Sequence, residues 1–311
     1  MSIVERAMEK LKTRQPEAQA PLDRHENPTP PTASAPTIER AHERMQVVEP
    51  SESPAAEPPW PVDMDRLRRD GLVPLEQGAE RRLIDELRRI KRPLLNNTGG
   101  ERARTLTHPE RIMVTSAIPA EGKTFTTLNL ALSLAREPDF EVLLIDGDIP
   151  KSNITRSLGL EEKPGLMDVL VHADCRPQDV IVRTDVPNLL VVPTGERHPL
   201  TAELFGGKRM QRVLEAWSNP DRQRLLLFDS SPLLATSEAQ VLASHVGQIV
   251  MIVAAGRTRQ QEVRTAMQGL GESQYVGFVL NMSRLPAMEN HYYDDYYSNY
   301  YSHSTSRSEV T

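Results

Sequence analysis

The sequence predicts an α/β fold built on a doubly wound, mostly parallel sheet, and three observations lead there. Short apolar runs recur between Ile112 and Leu280, helix-patterned segments separate them, and three of the runs end in polar turns that carry Gly-Lys-Thr or one or two aspartates. Ligands of open α/β sheets bind at such strand ends.

Taken in order, the domain begins near Leu75, where Leu83, Ile84, Leu87 and Ile90 recur at helical spacing. Core strands are expected at residues 112–114, 142–145, 189–192, 225–228, 249–254 and 276–280. The helices between them are expected at residues 124–136, 166–172, 201–217, 237–244 and 259–270. There are no internal repeats.

The flanks read differently. In residues 1–15, Val4, Met8 and Leu11 share one face of a short amphipathic helix, too short to be stable without a partner. Residues 16–74 are expected to be a disordered linker: 11 of the 25 prolines fall between Pro16 and Pro61, with few large apolar residues to offset the ordering entropy. Residues 75–286 form the predicted domain. Residues 287–311 are expected to be a mobile tail holding six of the seven tyrosines, with no Leu or Ile among them.

Composition narrows the function. The net charge is -6 and the pI near 5.8, without the basic footprint of a nucleic-acid binder, so no nucleic-acid partner is expected. Cys175 is the only cysteine and the eight histidines lack ligand-like spacing, which excludes an internal disulfide and a cysteine-based zinc cluster and fits a reducing, cytoplasmic setting. No run reaches the roughly 18 apolar residues of a membrane span, and no signal-peptide core is visible at the start.

The chemistry concentrates in three turns. Residues 112–115 lead into Ser116-Ala-Ile-Pro-Ala-Glu-Gly-Lys-Thr124 and then a helix with Leu128, Leu130, Ala131 and Leu134. Strand, turn and Gly122-Lys123-Thr124 together form a P-loop, in which backbone N–H groups hold phosphates, the lysine meets the β and γ oxygens and the threonine hydroxyl reaches Mg²⁺. Ala117 stands where the motif has its first glycine. Nucleotide contacts are expected at Ala117, Pro119, Ala120, Glu121, Gly122, Lys123, Thr124 and Phe125, and at Asn281 after the last apolar run. The run ending at Ile145 delivers Asp146 and Asp148, and the run ending at Phe228 delivers Asp229, which supplies carboxylates for Mg²⁺ coordination. Taken singly, Gly-Lys-Thr also reads as a surface turn and each aspartate as a helix cap.

These residues resemble the bacterial tyrosine kinases of capsule and exopolysaccharide synthesis, over a stretch from about Glu86 to Asn281. In that family Ala or Ser replaces the first P-loop glycine. An Asp-x-Asp motif matches Asp146-Gly-Asp148, with Lys151 as a looser basic residue, and an Asp-x-Pro-Pro motif matches Asp229-Ser-Ser-Pro232, with Ser231 in place of the first proline. Pro199 to Leu204 and Gly165 to Leu170 are similar to further family segments. Glu86, Arg89 and Arg92 fit a Glu-x-x-Arg-x-x-Arg pattern that mediates ring-shaped oligomers in the family; a solvated charged face is the other reading. Met1 to Leu11 and Ile90 to Leu95 resemble the subgroup linked to exosortase-type exopolysaccharide loci, whose members lack membrane spans.

The resemblance implies an ATP- and Mg²⁺-dependent autokinase. Lys123, Asp146, Asp148 and Asp229 would be the catalytic set. Thr124, Asp148 and Asp229 would hold the metal or its waters, and Asp146 would be the base. Tyr292, Tyr293, Tyr296, Tyr297, Tyr300 and Tyr301 would be the phosphoacceptors, reached from a neighbouring subunit. A homo-oligomeric ring that dissociates on phosphorylation, and a separate membrane-anchored polysaccharide co-polymerase as activator, would place the chain at the inner membrane without spanning it. The principal rival is a partitioning ATPase of the ParA and MinD type, whose second P-loop lysine position is Ile118 here. A silent scaffold with a docking tail is the third reading.

Overall fold

A computed structural model describes residues 58–283, apart from 76, 100–102, 220–222 and 272–273. The amphipathic helix expected at 1–15, most of the linker and the tyrosine-rich tail lie outside the described residues.

Seven strands form one sheet in the order β3-β4-β2-β5-β1-β6-β7. They are β1 (Arg111–Ser116), β2 (Glu141–Gly147), β3 (Val182–Arg183), β4 (Leu189–Val192), β5 (Arg224–Ser230), β6 (Gln248–Ala254) and β7 (Tyr275–Asn281). All pairings are parallel except that of β3 with β4. The six expected strands are all present. The two-residue β3 was not foreseen, because Val182-Arg183 is too short to carry a pattern.

The runs in β1, β2, β4 and β5 are apolar on both faces because both faces are covered. Met113, Leu143, Ile145, Leu226 and Phe228 point into one core, and Ile112, Val114, Val142, Leu144, Leu225 and Leu227 into the other. The described helices flanking these cores are α1 (Met64–Arg69), α2 (Gln77–Thr98), α3 (Lys123–Leu134), α4 (Asn153–Ser157), α5 (Leu166–Val171), α6 (Thr201–Gly206), α7 (Lys208–Trp217), α8 (Ser237–Ala243) and α9 (Gln260–Met267). The single helix expected at 201–217 is two helices. Gly207 adopts extended backbone between them (φ -78°, ψ 154°), and the Gly206-Gly207 pair has the low helix propensity that permits the break.

Residues 58–74, expected to belong to the linker, are folded onto the domain. The Trp60 N–H donates to the Arg183 carbonyl at 2.8 Å and the Asp185 N–H donates to the Trp60 carbonyl at 3.0 Å, which extends the sheet edge beyond β3. Asp63 caps α1 by accepting from the Arg66 N–H at 2.8 Å, and Leu67 is fully buried. Trp60 Nε1 donates to the Leu158 carbonyl at 2.9 Å and Arg66 Nη2 to the Arg156 carbonyl at 2.6 Å, so this strap closes the C-terminal end of α4.

Candidate nucleotide-binding site

The chain leaves β1 toward β2 on one side and returns to β6 on the other. The C-terminal end of β1 is therefore a topological switch point, where open α/β sheets place their ligands. Residues 117–122 occupy it. Ala120 and Gly122 take left-handed backbone (φ 62° and 90°), and Gly122 is the N-cap of α3. A Cβ on Gly122 would lie 2.1 Å from Asn281 Nδ2, so both the backbone angle and the close approach require glycine.

The turn is held from within. Glu121 is fully buried; one carboxylate oxygen accepts from the Ile118 N–H at 2.8 Å, the other from the Ala254 N–H at 3.1 Å and from the Thr258 hydroxyl. Both oxygens of the Glu121 carboxylate are thus taken by the protein, so any nucleotide contact at this residue would fall to its backbone. Arg257 grips the turn from outside, donating to the Pro119 carbonyl at 2.6 Å and the Ala120 carbonyl at 3.0 Å. Asn281 Nδ2 donates to the Glu121 carbonyl at 2.8 Å, so Asn281 props the turn. Ala117 is buried, and the Phe125 carbonyl accepts from Asn129 Nδ2 at 2.7 Å.

Charge gathers above the turn. β2–β5 pairing sets Asp146 beside Asp229, and Asp148 follows in the next turn. Thr124 Oγ1 donates to Asp229 Oδ2 at 2.8 Å and Thr127 Oγ1 to Asp229 Oδ1 at 3.0 Å. Asp146 Oδ2 accepts from the Thr155 N–H at 2.8 Å and from Thr155 Oγ1 at 2.7 Å. Thr155 Oγ1 accepts in turn from the Thr194 N–H at 3.0 Å. Ser231 Oγ donates to Asp148 Oδ1 at 2.7 Å. Burial, and then the charge of the other two carboxylates, pushes Asp229 up to about 7. Burial likewise raises Asp146 to about 6, against the hydrogen bonds from Thr155. Lys123 is 5% exposed; burial lowers its pKa while Asp229 and Asp148 oppose the shift, and Lys151 lies close enough to add to it.

The five expected catalytic and metal residues are thus brought together: Lys123, Thr124, Asp146, Asp148 and Asp229. Two carboxylate oxygens among them, Asp146 Oδ1 and Asp148 Oδ2, are buried without a hydrogen-bond partner. A desolvated carboxylate oxygen is costly unless a cation or donor meets it, so the Asp148 orphan, with the Thr124 hydroxyl, fits a hard, oxygen-seeking cation such as Mg²⁺, while the Asp146 orphan stays open to a donor. Among the described residues no group of three or more His, Cys, Asp or Glu side chains forms a ready-made cage. Mg²⁺ characteristically uses one or two carboxylates together with phosphate oxygens. Glu86, Arg89 and Arg92 sit apart from this site, exposed on α2. The tail tyrosines lie outside the described residues.

Sequence reasoning missed Thr127, Thr155, Thr194, Arg257 and Thr258. Only Thr127 had a local signal, since it follows Thr124 at the spacing that shares a helix face.

The AAA domain family matches residues 112–270. Tyrosine-protein kinase YwqD of Bacillus subtilis is 31% identical over 185 residues, covering 58% of this chain and 76% of the relative. Tyrosine-protein kinase etk of Escherichia coli is 32% identical over 162 residues, 52% of this chain but only 22% of the relative, so the chain spans less than a quarter of that protein. Among solved structures, the kinase domain of the Escherichia coli tyrosine kinase ETK superposes with a TM-score of 0.57 at 26% identity, covering 66% of this chain and 77% of the other.

Proposed function

We propose that this chain, which belongs to the AAA domain family and within it to the bacterial tyrosine-protein kinases, transfers the γ-phosphate of ATP to tyrosines of its own C-terminal segment. One observation carries the reading: Lys123, Thr124 and three buried aspartates converge on a P-loop at the switch point of the sheet. Phosphoryl transfer asks a protein chiefly for positioning and charge stabilisation, and this constellation can supply both.

In this reading the 117–124 backbone cradles the phosphates and Lys123 offsets negative charge on the β and γ oxygens. Burial lowers its pKa, yet the aspartates around it favour the protonated form. Thr124, Asp148 and Asp229 would hold Mg²⁺, which when bound neutralises charge on the phosphate oxygens. Asp146 is the proton acceptor for the tyrosine hydroxyl, through the oxygen that Thr155 leaves open. Because Asp146 is solvent-inaccessible, a hydroxyl reaches it only after the site reorganises around nucleotide.

The partitioning-ATPase alternative is disfavoured at Ile118, whose side chain packs partly buried against the core where a second lysine would be needed. The membrane-anchored co-polymerase activator and the ring-shaped oligomer are carried with this proposal. In the described residues no helix is long and apolar enough to cross a membrane, which is compatible with a membrane partner being a separate chain.

The test is to incubate purified protein with Mg-ATP and probe for phosphotyrosine. Lys123→Met should abolish labelling in protein that melting curves show to be folded; undiminished labelling in that variant would overturn the site assignment.

A further inference from the structure

We propose that Ser231 is a positioning residue for the cation: its hydroxyl fixes the Asp148 carboxylate so that Oδ2 alone faces the nucleotide-bound metal. The inference rests on the Mg-nucleotide reading of the site and goes further, to a residue outside the expected metal set.

Ser231 stands where the sequence departs from its own motif, and the structure gives the departure a physical content. The side chain is 3% exposed, and Oγ donates to Asp148 Oδ1 at 2.7 Å. The donor cannot drift, because the Ser231 backbone is stitched to β1. Its carbonyl accepts from Thr115 Oγ1 at 3.1 Å, and two residues on the Leu233 N–H donates to the Ser116 carbonyl at 2.9 Å.

The terminal torsion of an aspartate is broad and nearly two-fold, so a buried carboxylate without a fixed partner samples a range of orientations. One short bond to a rigid hydroxyl narrows that range. It also leaves the other oxygen, Asp148 Oδ2, as a buried acceptor with no partner. Desolvation of that oxygen is unfavourable in the nucleotide-free chain and is relieved when a cation arrives. Outer-shell hydrogen bonds of this kind orient metal-ligating carboxylates, and their loss typically weakens metal affinity by about 10–100-fold. The same division recurs next door, where Thr155 takes Asp146 Oδ2 and leaves Oδ1 open.

The experiment measures the affinity of a non-hydrolysable ATP analogue by calorimetry with and without Mg²⁺, for the wild-type chain, Ser231→Ala and Ser231→Pro. Both substitutions remove the donor by different chemistry, and melting curves establish that each variant is folded. The expected result is that the ratio of the two affinities falls about 10-fold in Ser231→Ala, with the Mg-free affinity unchanged, and falls similarly in any folded Ser231→Pro. Three results would overturn the proposal: a wild-type ratio retained in Ser231→Ala, equal weakening with and without Mg²⁺, or no Mg²⁺ enhancement in the wild-type chain. This readout does not require phosphoryl transfer. A chain that binds Mg-nucleotide without labelling tyrosine would refute the kinase reading and leave this one standing, whereas a labelling-competent chain with an unchanged ratio in Ser231→Ala would do the reverse.

Discussion

At the scale of the residue, the site sets three buried carboxylates against one buried lysine, and charge balance governs its behaviour without ligand. Asp229 is raised from 3.8 to about 7 by burial first and by Asp146 and Asp148 next. Its folded pKa lies above its unfolded one, so the stability it confers is fully present below about pH 4 and is lost as pH rises through 7. An amide at this position has no proton to lose. Asp229→Asn should therefore gain stability relative to wild type between pH 5 and pH 8, on the order of a few kcal/mol, in denaturant melts without nucleotide or metal. Any pH-independent cost of an amide facing Thr124 and Thr127 cancels in that comparison. A difference that stayed constant with pH would show that Asp229 is ionised throughout. The residues at strand ends, Asp146 and Asp229, were legible because four apolar residues point to where the strand stops. Thr155 and Thr194 were not, because they meet Asp146 only after α4 and β4 have folded to the same edge.

At the scale of the element, parallel strands covered on both faces leave an unbroken apolar run, and β1, β2, β4, β5 and β6 were readable for that reason, whereas the edge strand β7 keeps an apolar run with Phe278 and Leu280 exposed. The strap before α2 was not. Its apolar content is Trp60, Val62, Met64, Leu67, Leu72 and Val73 scattered among prolines and charges, so composition pointed to a linker. A finer signal was present: Asp63 at the N-cap, Asp65 in the first turn, Arg66, Arg68 and Arg69 in the last, and Gly71 just beyond are the start and stop marks of a helix. Leu67 is fully buried and packs into the core on the α3 side of the sheet. Leu67→Ala should cost about 2–5 kcal/mol of unfolding free energy, measured by denaturant titration. A loss below about 0.5 kcal/mol, the range of surface substitutions, would mean that the strap does not belong to the cooperative unit.

At the scale of the whole molecule, the proposed function needs two features that would act between chains, the charged face of α2 and the tyrosine tail. Glu86, Arg89 and Arg92 recur every three residues on an exposed stretch of α2, a surface with no part in the nucleotide site. Replacing all three by alanine should shift unphosphorylated protein from oligomer to monomer in light scattering. An unchanged mass would return that face to the role of a solvated surface. The tyrosine cluster lies outside the described residues, and its proposed part as phosphoacceptor rests on the resemblance to the tyrosine kinases and on its place after the domain. Near-neutral transfer to tyrosine, whose unperturbed pKa is about 10, needs a base or a polarising site, which the buried carboxylates would supply in the proposed reaction. The most direct measurement is to incubate the purified chain with Mg-ATP and locate the phosphate by mass spectrometry. The expected result is phosphate on tyrosines among Tyr292, Tyr293, Tyr296, Tyr297, Tyr300 and Tyr301, absent in Lys123→Met. Phosphate confined to Tyr275 or to serine and threonine, or ATP hydrolysis with no labelled tyrosine, would contradict it.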